Sequence, residues 1–295
     1  MKRSAFLYAL LAVCLCSAAA QAQHDFSGVE IKVTKVAGSV YMLEGAGGNI
    51  GVSVGADGIL IVDDQFAPLA DKIRAALKTL GEGKLKFVLN THWHGDHTGS
   101  NARFSQEASI IAHDNVRKRM ASDQKIFNEK VPASPKDALP VITFDKSLAV
   151  HFNNEEIRAI HFPNGHTDGD SVIFFTGSNV VHLGDDFFAG RFPFVDIENG
   201  GDVVNLAKNI GEIIGRLPAG IKIIPGHGPL STLDDLKLYH RMLTETIDLV
   251  RKQADAGKSL EQIKAAGLPA TWKSWGTGFI KPDQWIELIY RSLKK

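Results

Sequence analysis

The sequence predicts an α/β fold. Two observations carry that reading. Short apolar runs of strand character are interspersed with segments whose apolar residues recur at helical spacing. They fall in two broad halves, each with strands first and helices after, and no stretch of linker composition divides them. The chain has 295 residues, 44% hydrophobic and 22% charged. That composition excludes a disordered, collagenous or multi-span membrane protein. Lys+Arg and Asp+Glu number 33 each, which excludes a strongly basic chain that holds nucleic acid through its phosphates. The local run Arg117-Lys118-Arg119 reads as a solvated face. A chain of this length buries a large core without disulfides or metal.

The first residues read as a targeting segment. Lys2 and Arg3 precede an apolar stretch, Ala5–Cys16, and small residues ending Ala20-Gln21-Ala22. This is the pattern of a secretory signal peptide cleaved after Ala22; a bilayer span takes roughly 20 apolar residues and the stretch is shorter. The expectation is a periplasmic or secreted protein whose residues 23–295 form one domain, with no stable insertion in a membrane. Val13 and Leu15 precede the two cysteines where lipoprotein processing prefers a small residue, so a lipid anchor is the weaker reading. Both Cys14 and Cys16 lie in the cleaved segment. The mature chain then has no disulfide, no thiolate nucleophile and no thiolate metal ligand.

From Glu30 to Asp64 the sequence reads as successive strands: Ile31–Val36, Val40–Leu43, Asn49–Val54 and Ile59–Val62. Turns at Gly45–Gly48 and Gly55–Gly58 separate them. Leu69, Ile73, Ala76, Leu77 and Leu80 give Ala67–Leu80 a helical period. Phe87–Leu89 is a strand, His97–Phe104 a helix, and Ser109–Ala112 a strand. Asp114 opens a further helix as its cap. Ser122–Pro140 is polar and proline-bearing, and reads as a loop or flap. Strands resume at Leu148–Phe152, Ile157–Phe162, Val172–Phe175 and Val180–Leu183. Val203–Leu217 is a helix and Lys222–Ile224 a strand. A long helix capped by Thr232 or Ser231 then begins a helical extension over residues 232–295, closed by helices near Leu260–Ala266 and Pro282–Leu293.

Histidine and aspartate gather beside glycine at the ends of these strands. The densest place is Thr91-His92-Trp93-His94-Gly95-Asp96-His97-Thr98. His92 and His94, two apart at a strand end, point the same way. Gly95 lets the chain turn so that Asp96 and His97 return to the same spot. Imidazole and carboxylate in this density suit a metal of borderline softness. Gly165-His166-Thr167, Gly184-Asp185 and Gly226-His227-Gly228 each follow a strand, where loops carry function on a rigid scaffold.

The H-x-H-x-D-H motif at His92–His97, followed by Gly-His166-Thr, Gly-Asp185 and Gly-His227-Gly, resembles the metallo-β-lactamase superfamily. The resemblance runs from about Ile31 to about Leu230. It implies a four-layer αββα sandwich with a dinuclear metal site at one edge, usually zinc: two Zn2+ per chain. It also implies that His92, His94 and His166 hold one ion, that Asp96, His97 and His227 hold the other, and that Asp185 bridges them. Lactamases that use a cysteine at the second metal carry it where Asp185 stands here. They place a lysine for the drug's carboxylate where this chain has Phe188. Both departures point to the broader hydrolases, although Gly165–Ser171 keeps a lactamase-like sequence.

Two cations sharing one water would lower its pKa and supply hydroxide, and one would polarise the substrate carbonyl. Asp96 is then the catalytic candidate that orients the water and shuttles its proton. Asp63 and Asp170 are candidates to accept the free N–H of a metal-binding imidazole and fix its tautomer. His113, His151, His161, His182 and His240 read as structural, and Trp272, Trp275 and Phe279 as core. The expected function is an exported zinc hydrolase of carboxylic amides, esters or lactones, with β-lactam hydrolysis as a secondary expectation. The partner is a small-molecule substrate, not nucleic acid. The alternatives are an iron-dependent redox enzyme of the same superfamily and a metal-binding protein without turnover. Substrate choice should lie in Gly45–Gly48, Ser122–Pro140 and Gly190–Gly201.

Overall fold

The computed structural model describes residues 25–295. The expected signal segment, with Cys14 and Cys16, lies outside the described residues. The first sheet begins as an antiparallel meander of β1 (Lys32–Ala37), β2 (Val40–Glu44), β3 (Ile50–Gly55) and β4 (Gly58–Val62). Helix α1 (Ala70–Lys78) crosses over to β5 (Leu85–Leu89), parallel to β4. Short helices α2 (Gly95–Thr98) and α3 (Asn101–Phe104) lead to β6 (Ser109–His113), parallel to β5, and on to α4 (Asp114–Met120). A separate hairpin, β7 (Gln124–Ile126) and β8 (Glu129–Val131), precedes the edge strand β9 (Ile142–Phe144).

The second sheet contains β10 (Ser147–Phe152), β11 (Glu155–His161), β12 (Ser171–Phe175) and β13 (Val180–His182), each antiparallel to the next in this run of four. Helix α5 (Val203–Arg216) returns the chain to β14 (Lys222–Ile224), which is parallel to β13, and β15 (Ser231–Thr232) pairs at the edge. Helices α6 (Leu233–Asp255), α7 (Leu260–Ala266), α8 (Ala270–Lys273) and α9 (Pro282–Leu293) complete the chain.

Strand periodicity builds the layers, because alternate side chains face opposite sides of a sheet. In β4, Leu60 and Val62 join a core with Ile157, Ile173 and Phe175 of the second sheet, while Ile59 and Ile61 turn to Ile73 and Leu77 of α1. In β12, Ile173 and Phe175 face the first sheet, and Val172 faces the layer that holds Leu206 of α5, Leu243 of α6 and Trp285 of α9. Helices therefore cover the outer face of each sheet, which is the expected αββα sandwich.

Three local expectations are corrected. The helix expected over His97–Phe104 is two short helices. Ser100 breaks it, because its N–H donates to the Gln65 carbonyl and to Asp64 Oδ1, and its hydroxyl to the Phe66 carbonyl. Asp114 is not the cap of α4; the ring of His113 accepts from the Asn115 N–H instead. The expected loop Ser122–Pro140 contains the β7–β8 hairpin, whose turn residues Phe127 and Asn128 have φ of 51° and 65°. That is the pattern of a tight hairpin turn made without the usual Asn-Gly signature. The long helix α6 takes Thr232 as its cap, in a reciprocal box with Asp235.

Candidate metal centre

The parallel pairs β4/β5 and β13/β14 direct their carboxyl ends to one edge of the sandwich. There β5 runs into His92 and His94, and α2 begins with Asp96 and His97. His166 stands between β11 and β12, Asp185 follows β13, and His227 follows β14. All seven candidate ligands meet at this edge. Their atoms form two adjacent groups, one of His92, His94, His166 and Asp185, the other of Asp96, His97 and His227.

Asp185 stands between the groups with one oxygen toward each. Its Oδ2 lies 3.8 Å from His92 Nε2 and 3.5 Å from His166 Nε2. Its Oδ1 lies 3.0 Å from His97 Nε2 and 3.4 Å from His227 Nε2. His227 Nε2 is 3.3 Å from Asp96 Oδ2, and His94 Nδ1 is 2.8 Å from His166 Nε2. Donors held about 2.1 Å from a tetrahedral ion are separated by about 3.4 Å, so most of these spacings match shared ligation.

The donor set fits divalent cations. Nε2 of His92, Nε2 of His97 and Oδ1 of Asp185 are buried without a hydrogen-bond partner among the described residues. Burying unpaired polar atoms is costly; a cation held by the first group would satisfy His92 Nε2, and one held by the second would satisfy His97 Nε2 and Asp185 Oδ1.

The far nitrogens of the His92, His94, His97 and His166 rings are held. Asp63 Oδ2 sits 2.7 Å from His97 Nδ1, and the same carboxylate accepts from the Thr91 N–H at 2.7 Å and the Thr91 hydroxyl at 2.8 Å. Thr91 Oγ1 in turn lies 3.0 Å from His92 Nδ1. His166 Nδ1 donates to the Phe194 carbonyl at 2.7 Å. Asp63 thus reaches an imidazole, that of His97. The Asp170 carboxylate does not: it accepts from the Thr167 N–H and hydroxyl and faces Asp186, so it orders the His166 loop. The carboxylate that the sequence reading missed is Asp196, 2.9 Å from His94 Nε2. It stands in the Gly190–Gly201 loop with no motif around it; its only local signature is Asp-x-x-Asn, since Asn199 caps back onto its side chain.

These contacts set the charges. Burial pushes the His92 imidazole well below its ordinary range, and the neighbouring His97 and His166 add to this. Burial likewise lowers His166 to about 4. His97 and His227 go the other way: burial pulls each down, but the Asp185 carboxylate and others outweigh it, leaving His97 well above the usual value and His227 at about 9. Burial raises Asp96, yet His97 and His227 bring it down to about 2.

The backbone at the centre is tight. Asp63 and Gln65 adopt φ of 64° and 56°, a conformation that costs free energy in non-glycine residues and clusters at functional sites. A Cβ on Gly48 would lie 2.1 Å from the His97 ring, and one on Gly226 would lie 2.1 Å from Asp185 Oδ1. These glycines let neighbouring loops pass directly against the donors.

The centre opens into a cavity of about 420 Å3 bordered by His94, Asp96, Asp185, His227 and several phenylalanines. Phe188 lies on its wall, stacked on His227 at 4.9 Å. Trp272 and Trp275 are buried in the core as expected. Phe279 is not core: it is 71% exposed and lines the cavity. Among the other histidines, His182 is buried and bonds the Asn49 carbonyl, and His113 and His161 stack on each other 3.7 Å apart. In the Arg117–Arg119 run, Arg119 pairs with Asp168 at 2.6 Å and Arg117 bonds the Pro140 carbonyl.

Several known proteins are similar to this chain. A curated relative, "Lactamase-like protein aptB" of Emericella nidulans, is 29% identical over 218 residues, 73% of this chain and 60% of its own length. The chain therefore spans less than two thirds of that relative. A hydroxyacylglutathione hydrolase of Polaromonas is 30% identical over 165 residues, 51% of this chain and 53% of the relative. The crystal structure of DIM-1 metallo-beta-lactamase superposes with a TM-score of 0.60 at 19% identity, covering 74% of this chain and 99% of that one. The family model described as the Metallo-beta-lactamase superfamily matches residues 34–241. The chain belongs to the metallo-beta-lactamase superfamily.

Proposed function

We propose that the protein is an exported dinuclear zinc hydrolase that cleaves a carboxylic ester, lactone or amide with water. The observation that carries this reading is Asp185, whose two oxygens face two separate groups of donors while Oδ1 and two imidazole nitrogens lie buried and unpaired. His92, His94, His166 and Asp185 would hold one ion, and Asp96, His97, His227 and Asp185 the other. The bound pair supplies a water of lowered pKa and a Lewis acid for the carbonyl.

The chain's own residues do the rest. Asp96, lining the cavity and held at about 2, stays ionised at neutral pH. It can accept the proton of the attacking water and return it to the leaving group. Asp63, Asp196 and the Phe194 carbonyl fix ring orientation, so the donors need not reorganise during reaction. Phe188 offers no charge to a substrate carboxylate, which supports esters and lactones over β-lactams as the better substrates. The named hydrolase relative supports hydrolysis over redox chemistry, and the amino-terminal composition supports export.

The test is an assay of zinc-loaded and metal-free protein against aryl esters, a lactone panel and a chromogenic cephalosporin. Metal-dependent hydrolysis of esters or lactones above the cephalosporin is expected; no turnover of any of them contradicts the reading. The mass of protein recovered from an exporting host tests cleavage after Ala22.

A further inference from the structure

We propose that the carboxyl-terminal extension is a specificity element of the metal centre. With the β7–β8 hairpin it builds an aromatic subsite, and the substrate is an ester or lactone that carries an aryl or comparably bulky apolar arm. This rests on the hydrolase reading above and names its substrate class.

Three rings from three separate stretches of chain meet beside the metal ligands. Phe194 comes from the Gly190–Gly201 loop, Phe127 from the hairpin tip and Phe279 from the extension. Their centroids lie 4.7 Å apart for Phe127 and Phe194, 5.7 Å for Phe127 and Phe279, and 6.4 Å for Phe194 and Phe279. The Phe194 ring is fixed against the centre itself: it lies 5.7 Å from the His94 ring and 5.7 Å from that of His166, while its carbonyl holds His166 Nδ1. These three phenylalanines border the same cavity as His94, Asp96, Asp185 and His227. A group seated among the rings therefore belongs to a molecule whose reacting atom can reach the donors. At about 420 Å3 the cavity falls within the usual range of small-molecule sites, roughly 300–1,000 Å3.

The extension is held so that Phe279 stands at this wall. Phe192 grips it twice. Its N–H donates to the Trp275 carbonyl at 3.1 Å, and its ring stacks on buried Trp285 at 5.5 Å. Phe279 lies between these two anchors, and its neighbour Ile280 is buried. Phe279 and Ile280 lie beyond residues 34–241, which match the family model, so the matched region alone does not supply this wall.

Phe127 is 48% exposed and Phe279 71%. Large apolar rings left in water at a cavity mark a binding surface. Phe127 is also placed at a backbone cost, since its φ of 51° is rare for a bulky residue. The hairpin turn would accept Asn or Gly more readily, so the ring's position is what the cost sustains. The rings present only carbon to an occupant. An apolar arm placed among them removes its own surface and theirs from water, and an aryl arm adds the offset and edge contacts that rings make with rings.

The reaction is a balanced hydrolysis. Water oxygen bonds the acyl carbon, the acyl C–O bond breaks, one water proton goes to the leaving alkoxide, and the product acid releases the other. The arm is unchanged, so it contributes to binding rather than to bond-making.

The test uses zinc-loaded protein and three neutral esters followed by acid release: methyl acetate, methyl 3-phenylpropanoate and 2-phenylethyl acetate. They place an aryl arm on neither side, on the acyl side or on the alcohol side. At least one arylated ester is expected to exceed methyl acetate by about tenfold or more in kcat/KM. Phe279→Ser and Phe127→Ser should each cut kcat/KM for that ester at least about fivefold more than for methyl acetate, mainly through KM, and Phe279→Leu should restore part of the loss. Fluorescence of the neutral probe N-phenyl-1-naphthylamine supplies a readout without turnover; its binding should weaken at least about fivefold in Phe279→Ser. Phe279 is largely exposed, so that variant keeps its fold, which a thermal melt verifies. If the esters are hydrolysed without regard to the arm, or the preference survives both serine variants, the subsite falls and the hydrolase reading stands. If no ester, lactone or cephalosporin is hydrolysed while probe binding depends on Phe279 and Phe127, the aromatic subsite stands and the hydrolase reading falls. Probe binding unchanged in both serine variants overturns the subsite.

Discussion

His94 turns Nε2 onto the Asp196 carboxylate at 2.9 Å and so directs Nδ1 toward the first donor group. His92 and His166 point Nε2 to that group instead, because Thr91 and the Phe194 carbonyl hold their Nδ1 atoms. Asp196→Ala should therefore weaken metal binding at this group by about 10–100-fold while leaving the fold intact. Competition with a chromogenic chelator measures it; unchanged affinity removes Asp196 from this role.

Asp63 is wholly buried and joins Thr91 to the raised His97 imidazole. Removing one partner of a buried charged pair leaves the other uncompensated. Asp63→Ala should cost about 3–5 kcal/mol of stability in the metal-free protein, and Asp63→Asn less, since it keeps the shape. Urea unfolding checks both; a loss below about 1 kcal/mol for the alanine variant contradicts the linkage.

Proton release should distinguish the two donor groups. A metal binds only the neutral ring. His166, lowered to about 4, and His92, also lowered, are already neutral at pH 7. His97 is raised and His227 lies at about 9, so both rings carry protons at pH 7 that the cation must expel. Affinity at the Asp96, His97 and His227 group should rise with pH toward about 9, while His92 and His166 add little pH dependence to the other group across neutral pH. Calorimetry in buffers of different ionisation enthalpy should show one metal equivalent releasing protons and the other few. Equal release from both contradicts the assignment.

Asp186 and Asp170 face each other in the interior below the His166 loop. Burial raises both, Asp186 to about 7. Asp186 Oδ2 has no donor unless one of the pair keeps a proton. The folded state thus holds a proton that the unfolded chain loses near the ordinary carboxylate value. The stability this gives is full below about pH 4 and declines as pH rises through about 7. Asp186→Asn should flatten that decline, because its amide donates to Asp170 without titrating. Thermal melts of metal-free protein between pH 4 and 8 test it; an unchanged slope contradicts the shared proton.

The fold and the ligands were legible where chemistry is written in adjacent residues. The alternation of Ile59–Val62 and Val172–Phe175 announces strands packed on both faces, and His92–His97 places four donors within one turn. Contacts that depend on tertiary meeting were not legible. Asp196 and Asp170 look alike in sequence, each an aspartate in a loop, and only the path of the chain decides which reaches an imidazole. Phe279 carries the same apolar signal as Trp272 and Trp275, yet it faces the cavity while they face the core. The β7–β8 hairpin was hidden because its turn uses Phe127-Asn128, where local preference yields to the cavity that Phe127 covers.

The central claim is that Asp185 joins two metal-binding groups in one centre. Anomalous diffraction at the zinc edge, on crystals of zinc-loaded protein, tests it directly. The account predicts two peaks of similar height, one among His92, His94 and His166, the other among Asp96, His97 and His227, with Asp185 contacting both. A single peak, or a second one that Asp185 does not touch, would contradict it.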